Sequence, residues 1–208
     1  MFLLIPELHI IAYKVYNDNI TTCNWGCGMQ EIRKFLDKDG NEITLRPAEP
    51  EDFAGIIRTV RSTSLERSYV LMELYAKNAE SEKQYISGID RQNNLLLAAI
   101  TNGSVIGCLA AIRADSGKRP QTAHILDIGI HILENYRGLG IGSRMLEYTI
   151  DWAQERGFKK LAACIFTTNK RSLHLFRKAG FTEECISQKH IRIGHEYIDE
   201  MCMVKFLD

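Results

Sequence analysis

The stretch of sequence best suited to chemistry is a short glycine-rich run between a predicted strand and a predicted helix. Arg137 opens it, and glycines follow at positions 138, 140 and 142. Glycines let a backbone approach an anion with no Cβ in the way, and the first N–H groups of a helix have no partner within the helix. Those amides and the helix dipole together bind phosphate groups. The segment from Arg137 to Ser143 is therefore predicted to hold a phosphate or a diphosphate.

The spacing of these glycines excludes two common phosphate-binding motifs. A P-loop has the pattern Gly-x-x-x-x-Gly-Lys-Ser/Thr, and no lysine follows the glycines here. A dinucleotide fingerprint has the pattern Gly-x-Gly-x-x-Gly after the first strand of a βαβ array. This chain instead has Gly-x-Gly-x-Gly, late in its length. The loop therefore belongs to another class of anion site.

The elements that must position this loop can be predicted from hydrophobic periodicity and turn signals. Strands are predicted over 42–48, 94–100, 104–114, 123–132, 159–166, 181–192 and 196–206. Helices are predicted over 49–62, 65–78, 81–91, 143–156 and 169–179. Asn102-Gly103 between two apolar runs is a strong hairpin signal. The order of elements indicates an α/β fold with a mixed sheet.

The loop resembles the acyl-CoA pyrophosphate motif of the GNAT superfamily, [QR]-x-x-G-x-[GA], over residues 137–142. The downstream run TTNKRSLHLFRKAGF, residues 167–181, resembles the second half of the same family pattern. In element order the resemblance covers residues 42–208, and its motifs are specific over 122–181. It implies a GNAT-like twisted mixed β-sheet with splayed central strands flanked by helices.

The resemblance also implies where an acyl donor binds. Acetyl-CoA would lie in the opening between the strand before the loop and the strand after the next helix. Its pantetheine would pair with the backbone of Ile130 and Ile132, and Asn169 and Phe176 would contact it from the following helix. The diphosphate would bind to the loop, formed by Arg137, Gly138, Leu139, Gly140, Ile141, Gly142 and Ser143.

Proton transfer is the part of the predicted site that departs from the family. Family members often have a tyrosine acid where this chain has Phe176, which has no proton to give. Some place a base on the strand before the loop, and alternation from Ile132 puts His124 on the predicted substrate face. Asp127 points to the other face by the same alternation. His124 and Asp127 are the two candidate catalytic residues.

Cys164 and several polar residues near the C-terminus are further candidates for catalysis or for binding the acceptor. Cys164 occupies the strand position that carries a glutamate in another acyltransferase subset, although an apolar cysteine packs equally well there. Polar residues near the C-terminus would line an acceptor site or simply face solvent. These are Glu196, Tyr197, Asp199 and Glu200.

The predicted function is acetyl transfer from acetyl-CoA to a primary amine, either on a small molecule or at a protein N-terminus. An alternative is a non-catalytic acyl-CoA-binding or sensor module, because Phe176 and the apolar strand face lack acid–base groups. A third alternative is a different nucleotide-binding α/β protein.

Composition narrows the partners and the location. Lys+Arg and Asp+Glu are both 26 in 208 residues, so the sequence gives no support for nucleic-acid binding. No metal is predicted, because Cys23 and Cys27 lack a second ligand pair. No run is long and apolar enough for a membrane helix, and no signal peptide is recognisable. A cytoplasmic protein is expected, with a homodimer left open.

The first 40 residues differ in character from the rest. The sequence predicts an N-terminal extension at 1–40 and a GNAT-like acetyltransferase domain at 41–208. A helix-like piece is predicted from Met29 to Leu36, ahead of a turn at 37–41. Met29 is a candidate natural start, and an ordered extra hairpin or helix is the alternative for the preceding residues.

Overall fold

A single mixed sheet organises the chain in the computed structural model, which describes residues 32–66 and 79–208. The strands are β1 (Arg33–Leu36), β2 (Glu42–Pro47), β3 (Leu95–Thr101), β4 (Ser104–Arg113), β5 (Ile125–Ile132), β6 (Lys160–Phe166), β7 (Thr182–Ile193) and β8 (Glu196–Phe206). Their order across the sheet is β1-β2-β3-β4-β5-β6-β8-β7. Within this sheet β5 and β6 run parallel, and the other neighbours are antiparallel.

Helices cover both faces of the sheet. They are α1 (Phe53–Leu65), α2 (Ala79–Gly88), α3 (Ile141–Glu155) and α4 (Lys170–Lys178). Strand β3 shows how the two faces are divided, because Leu95 and Leu97 join the larger core with α3 and α4. Leu96 between them joins a smaller core with α1 and α2. None of the helices in the described ranges has the length and apolar character needed to cross a bilayer.

The N-terminal part of the sheet corrects one sequence prediction. Residues 33–36 form strand β1, paired antiparallel with β2, so the helix predicted from Met29 to Leu36 is wrong over its described part. The turn after β1 explains the pairing, because the Asp37 carboxylate accepts hydrogen bonds from the backbone N–H groups of Asp39 and Asn41. Most of the predicted extension, the candidate start at Met29 and most of the helix predicted over 65–78 lie outside the described residues.

The centre of the sheet contains the opening on which the functional prediction depends. Strands β5 and β6 pair in register from Ile125 with Lys160 to Asp127 with Ala162. Both strands continue beyond this point, to Ile132 and Phe166, without pairing to each other. The sheet is therefore split between β5 and β6 from Asp127 onward, which confirms the splayed central strands.

Candidate active site

The glycine loop turns the chain from β5 into α3. Gly138 and Gly140 have φ angles of +83° and +93°, in the left-handed region that favours glycine. Gly140 is the N-cap of α3. A Cβ added at either glycine would have no protein atom within 4 Å. The loop therefore presents its backbone to an open space at the N-terminus of a helix of 15 residues.

The N–H groups of this loop are available to a ligand. Within the described part of the chain, the backbone N–H groups from Gly138 to Ser143 donate no hydrogen bond to a protein group. The first intrahelical bond of α3 is donated by Arg144 to the carbonyl of Gly140, at 3.2 Å. Six consecutive amides at a helix N-terminus form a site for an anion with several oxygens, such as a diphosphate.

The rest of the loop fixes its position in the fold. A methyl group at Gly142 would lie 3.0 Å from Cδ2 of Leu175 and 3.3 Å from Cδ1 of Ile132, so Gly142 permits α3 to pack closely. Ile141 is buried in the larger core. The Leu139 carbonyl accepts a hydrogen bond from the Lys38 backbone, at 3.3 Å.

Arg137 has a different surrounding from the predicted one. Its guanidinium makes two hydrogen bonds to the carboxylate of Glu66, at 2.6 and 2.7 Å, and its Nε donates to the Ile132 carbonyl at 2.8 Å. The Arg137 guanidinium is therefore already paired within the protein, and its contact with the diphosphate stays a prediction. The side chain ties the loop to the end of α1 and to the last residue of β5.

The open edge of β5 offers backbone groups to the gap. The N–H of Leu133 donates to the carbonyl of Ile106, on the β4 side, at 2.9 Å. Because strand residues alternate in direction, the N–H and C=O groups of Ile130 and Ile132 point to the opposite side, where β6 has diverged. The Ile132 carbonyl is taken by Arg137. The N–H and C=O of Ile130 and the N–H of Ile132 remain for an extended ligand.

Asp127 lies at the point where the two strands separate. Its side chain is 9% exposed, and no donor in residues 32–66 or 79–208 hydrogen-bonds its carboxylate. Burial raises the pKa of Asp127 to about 7, and the negative charges of Asp115 and Cys202 raise it further while Lys160 lowers it. A carboxylate with a pKa near neutral, beside a gap for substrate, suits a general base.

The predicted substrate face of β5 is wrong. Leu126 and Ile128 are 0% and 5% exposed in the core beneath α3, so the even-numbered face is filled rather than open. The odd-numbered face, with Asp127, is the one that meets the side of α1. His124 lies just before β5 with an exposed side chain, and its carbonyl accepts hydrogen bonds from Lys159 and Lys160.

Sequence reasoning overlooked His131 on this odd-numbered face. Its Nδ1 lies 2.8 Å from the hydroxyl of Thr63 on α1. Burial lowers the pKa of His131 to about 4, and the nearby charge of Arg137 contributes, so the imidazole is neutral at pH 7. The sequence signal for this face was the two-residue period of a strand, because His131 lies two residues after Gly129 and four after Asp127.

Glu200 on β8 is a second buried carboxylate near the gap. It pairs in register with Phe166 at the end of β6 and is 5% exposed. Burial, followed by the charge of Cys202, raises the pKa of Glu200 to about 7. The charges of Asp127 and Glu200 both act on Cys164, which places the three groups in one neighbourhood.

The two residues predicted on the next helix have different surroundings. Asn169 is the N-cap of α4, and its Oδ1 accepts a hydrogen bond from the Ser172 N–H at 3.0 Å. Phe176 is 1% exposed and packs edge-on against Phe181, with ring centroids 4.9 Å apart. The Phe176 ring is therefore enclosed in the core, and its predicted contact with the cofactor stays a prediction. The described residues contain no His, Cys, Asp or Glu cluster suited to a metal ion.

Comparison with known proteins settles the family of this fold and loop. The family model described as "Acetyltransferase (GNAT) family" matches residues 63–181, more than half of the chain. The chain belongs to the GNAT acetyltransferase family. The predicted fold class and the predicted enzyme class, an N-acetyltransferase, are thereby confirmed.

Curated relatives come from bacteria. YwnH of Bacillus subtilis (strain 168), provisionally named a phosphinothricin acetyltransferase, is 33% identical over 141 residues, covering 68% of this chain and 85% of YwnH. AaaT of Escherichia coli (strain K12), named an L-amino acid N-acetyltransferase, is 24% identical over 169 residues, covering 79% and 98% of the two chains.

Solved structures share the fold. An acetyltransferase of the GNAT family from Streptococcus pneumoniae superposes with a TM-score of 0.74 at 28% identity, covering 80% of this chain and 99% of that one. A phosphinothricin acetyltransferase (Pat) from Sinorhizobium meliloti, solved in complex with acetyl-CoA, has a TM-score of 0.72 at 22% identity. The match covers 79% of this chain and 88% of the Pat chain.

Proposed function

We propose that this protein transfers the acetyl group of acetyl-CoA to the primary amine of a small molecule, in the first place an amino acid or phosphinothricin. The six amides from Gly138 to Ser143, none of which donates within the described chain, carry this proposal. The names of the two curated relatives support the acceptor class, and the acetyl-CoA complex of the Pat structure supports the donor.

The donor is held by backbone groups in this proposal. The loop amides bind the diphosphate, and the dipole of α3 favours its negative charge. The pantetheine extends along the open edge of β5 and pairs with Ile130 and with the N–H of Ile132. The thioester then reaches the split between β5 and β6, near Asp127. Asn169 retains its amide nitrogen for a donor contact at the start of α4.

Asp127 serves as the base for the acceptor. A primary alkylamine has a pKa of about 10, so most of it is an ammonium ion at pH 7 and has no lone pair for attack. The ionised Asp127 carboxylate removes one proton, and the neutral amine nitrogen bonds to the thioester carbon. The C–S bond then breaks, and the nitrogen loses its second proton to solvent as the amide forms. With phenylalanine at 176, the coenzyme leaves as a thiolate, which a thiol pKa of about 8.5 allows. His124, exposed and outside β5, has no part in this step.

The buried carboxylates of Asp127 and Glu200 favour a cationic acceptor. Both lie near Cys164 at the split of the sheet, where burial makes their charges act more strongly than in water. An amine entering as an ammonium ion is attracted to this end of the gap. The cytoplasmic location and a homodimer stay predictions.

An acceptor screen tests the proposal. The protein is incubated with acetyl-CoA and separate amines: amino acids, phosphinothricin, polyamines and a peptide with an unblocked N-terminus. Coenzyme A release is followed with a thiol reagent, and acetyl-CoA binding is measured by calorimetry. Release with an amino acid or phosphinothricin supports the proposal, and release with the peptide alone would move the acceptor to protein N-termini. Binding without release from any amine would instead indicate an acyl-CoA-binding module.

A further inference from the structure

Three cysteine thiols form a row across three neighbouring strands, β6, β8 and β7. Cys164 on β6 and Cys202 on β8 are directly opposite each other, with their sulfur atoms 3.1 Å apart. Cys185 on β7 is opposite Cys202 on its other side. Directly opposed residues of antiparallel strands have Cα atoms about 4.5–5.5 Å apart, within the roughly 4.4–6.8 Å range of disulfides. The pair of Cys164 and Cys202 therefore has the backbone spacing of a disulfide.

The three thiols differ in exposure and in charge. Cys185 is exposed, Cys164 and Cys202 are partly exposed, and Cys108 elsewhere in the sheet is buried. The hydrogen bond from Cys164 lowers the pKa of Cys202 to about 6, and a second one from Cys185 has the same effect, against the opposing effect of burial. The hydrogen bond to Cys202 and burial raise the pKa of Cys164. Because Cys202 lies between two thiols that can donate hydrogen bonds to it, a negative charge in the row is favoured on Cys202. The thiolate is the nucleophilic form of cysteine.

We propose that Cys202 and Cys164 are a thiol–disulfide exchange site that reacts with low-molecular-weight disulfides such as oxidised glutathione. The Cys202 thiolate attacks one sulfur of the small disulfide, which forms a mixed disulfide and releases one thiolate. Cys164 then attacks the Cys202 sulfur, and its proton passes to the second leaving thiolate. Two protein thiols are oxidised to one disulfide, and one small disulfide is reduced to two thiols.

Cys164 is the resolving thiol because of the regularity of its pairing. Strands β6 and β8 pair without a register shift from Lys160 to Phe166, so Cys164 is held opposite Cys202. The register of β7 on β8 is broken between Glu183 and Cys185. Cys185 lies on the edge strand next to this irregularity and is therefore held less firmly against Cys202 than Cys164 is.

Peptide mapping tests the proposal directly, because trypsin separates the three thiols. Cleavage after lysine and arginine places Cys164 in residues 161–170, Cys185 in 179–189 and Cys202 in 193–205. The folded full-length protein is treated with oxidised glutathione at pH 7, alkylated, digested and analysed by mass spectrometry. A disulfide joining peptides 161–170 and 193–205, lost on treatment with dithiothreitol, is the expected product.

Single variants identify the role of each thiol. Cys202→Ser should lose the cross-linked peptide entirely, and Cys164→Ser should stop at glutathione bound to Cys202. Cys185→Ser should keep the cross-link. A wild-type protein that is glutathionylated without any link between 164 and 202, or that links 185 to 202 instead, would overturn the proposal.

A folding control makes the result specific to the native sheet. The same reaction in urea, where the strands are no longer paired, should lose the preference for the link between Cys164 and Cys202. Circular dichroism of each serine variant shows whether it retains the native fold. An equal yield of this link in folded and unfolded protein would also contradict the proposal, because the sheet would then contribute nothing to the pairing.

Discussion

Replacing Gly140 with alanine separates the binding role of the loop from its folding role. The added Cβ would meet no protein atom within 4 Å, so no packing clash arises. The φ angle of +93° is unfavourable for alanine, at a cost of about 1–2 kcal/mol. For a chain of this size the melting temperature should fall by about 2–8 °C. The protein should remain folded.

The effect on acetyl-CoA binding should be larger than this strain alone explains. The Cβ of the introduced alanine enters the open space in which the diphosphate is proposed to contact the loop amides. Loss of one hydrogen bond to a charged group costs about 1.5–3 kcal/mol. That energy corresponds to a roughly 10- to 150-fold increase in Kd. Isothermal titration calorimetry with acetyl-CoA measures this change, and a thermal melt measures stability in the same samples.

Gly157 provides a matched control beyond the other end of the same helix. It has a φ angle of +76°, and a Cβ there also meets no protein atom within 4 Å. Gly157→Ala should lose about the same stability as Gly140→Ala and should bind acetyl-CoA like the wild type. If the two variants had equal affinity for acetyl-CoA, the assignment of the diphosphate to this loop would be refuted.

Three further substitutions, two of them with a matched control variant, test the remaining parts of the site. Asp127→Asn should reduce turnover by about 10²- to 10⁴-fold with acetyl-CoA affinity unchanged, and the wild-type rate should rise with pH through about 7, as steady-state kinetics and calorimetry would show. The pKa of Asp127 in the folded protein is raised from 3.8 to about 7, so its contribution to stability is complete below about pH 4 and is lost as the pH rises to about 7. Above that pH the buried carboxylate is charged and destabilises the fold. Asp127→Asn should therefore raise the free energy of unfolding at pH 8 by on the order of 1–4 kcal/mol, as measured by urea titration. Glu66→Gln breaks the partly buried ion pair with Arg137 and should lower the free energy of unfolding by about 1–3 kcal/mol. Glu147→Gln breaks an exposed pair with Arg144 and should lower it by less than about 1 kcal/mol. Equal losses of stability would contradict the role given to Glu66. Cys202→Ser removes a negative charge that raises the pKa of Asp127, so the rise of the rate with pH should move to lower pH. Cys185→Ser should move it less. A pH–rate profile of Cys202→Ser that matches the wild type would show that the charge of Cys202 does not act on Asp127.

Local sequence signals were sufficient for the order of the described elements from β2 onward and for the position of the glycine loop. The Asn102-Gly103 pair predicted the hairpin of β3 and β4, and positive φ angles at both residues are found there. The loop glycines were recognisable because strand, turn and helix N-terminus are consecutive in the chain. A backbone anion site made from one continuous segment depends little on the rest of the fold.

Features that depend on distant pairing could not be predicted from the sequence. The loop motif predicted that Arg137 contacts the ligand. Its ion-pair partner Glu66 lies 71 residues away in the chain, so the sequence could not show that the two side chains pair. Alternation along β5 divided its residues correctly into two sets, but it could not say which set the helix α3 would cover. Which face α3 covers depends on packing across the sheet. In the structure α3 covers the even-numbered face, and Asp127 rather than His124 lies at the split.

The cysteine row illustrates the same limit for sheet order. Cys164, Cys185 and Cys202 become neighbours because β8 lies between β6 and β7. The sequence order of the strands does not specify that arrangement. Single-sequence patterns predicted the three strands, and only their arrangement in space brought the thiols together.

An NMR titration of the backbone amides with acetyl-CoA tests directly whether the loop from Gly138 to Ser143 binds the diphosphate. We expect saturable shifts at the N–H signals from Gly138 to Ser143 and at Ile130 and Ile132, with the Gly157 signal unchanged. The same titration with coenzyme A lacking the acetyl group should reproduce the shifts in the loop. Shifts confined to other parts of the sheet, with the loop amide signals unchanged at saturation, would show that acetyl-CoA does not bind at this loop.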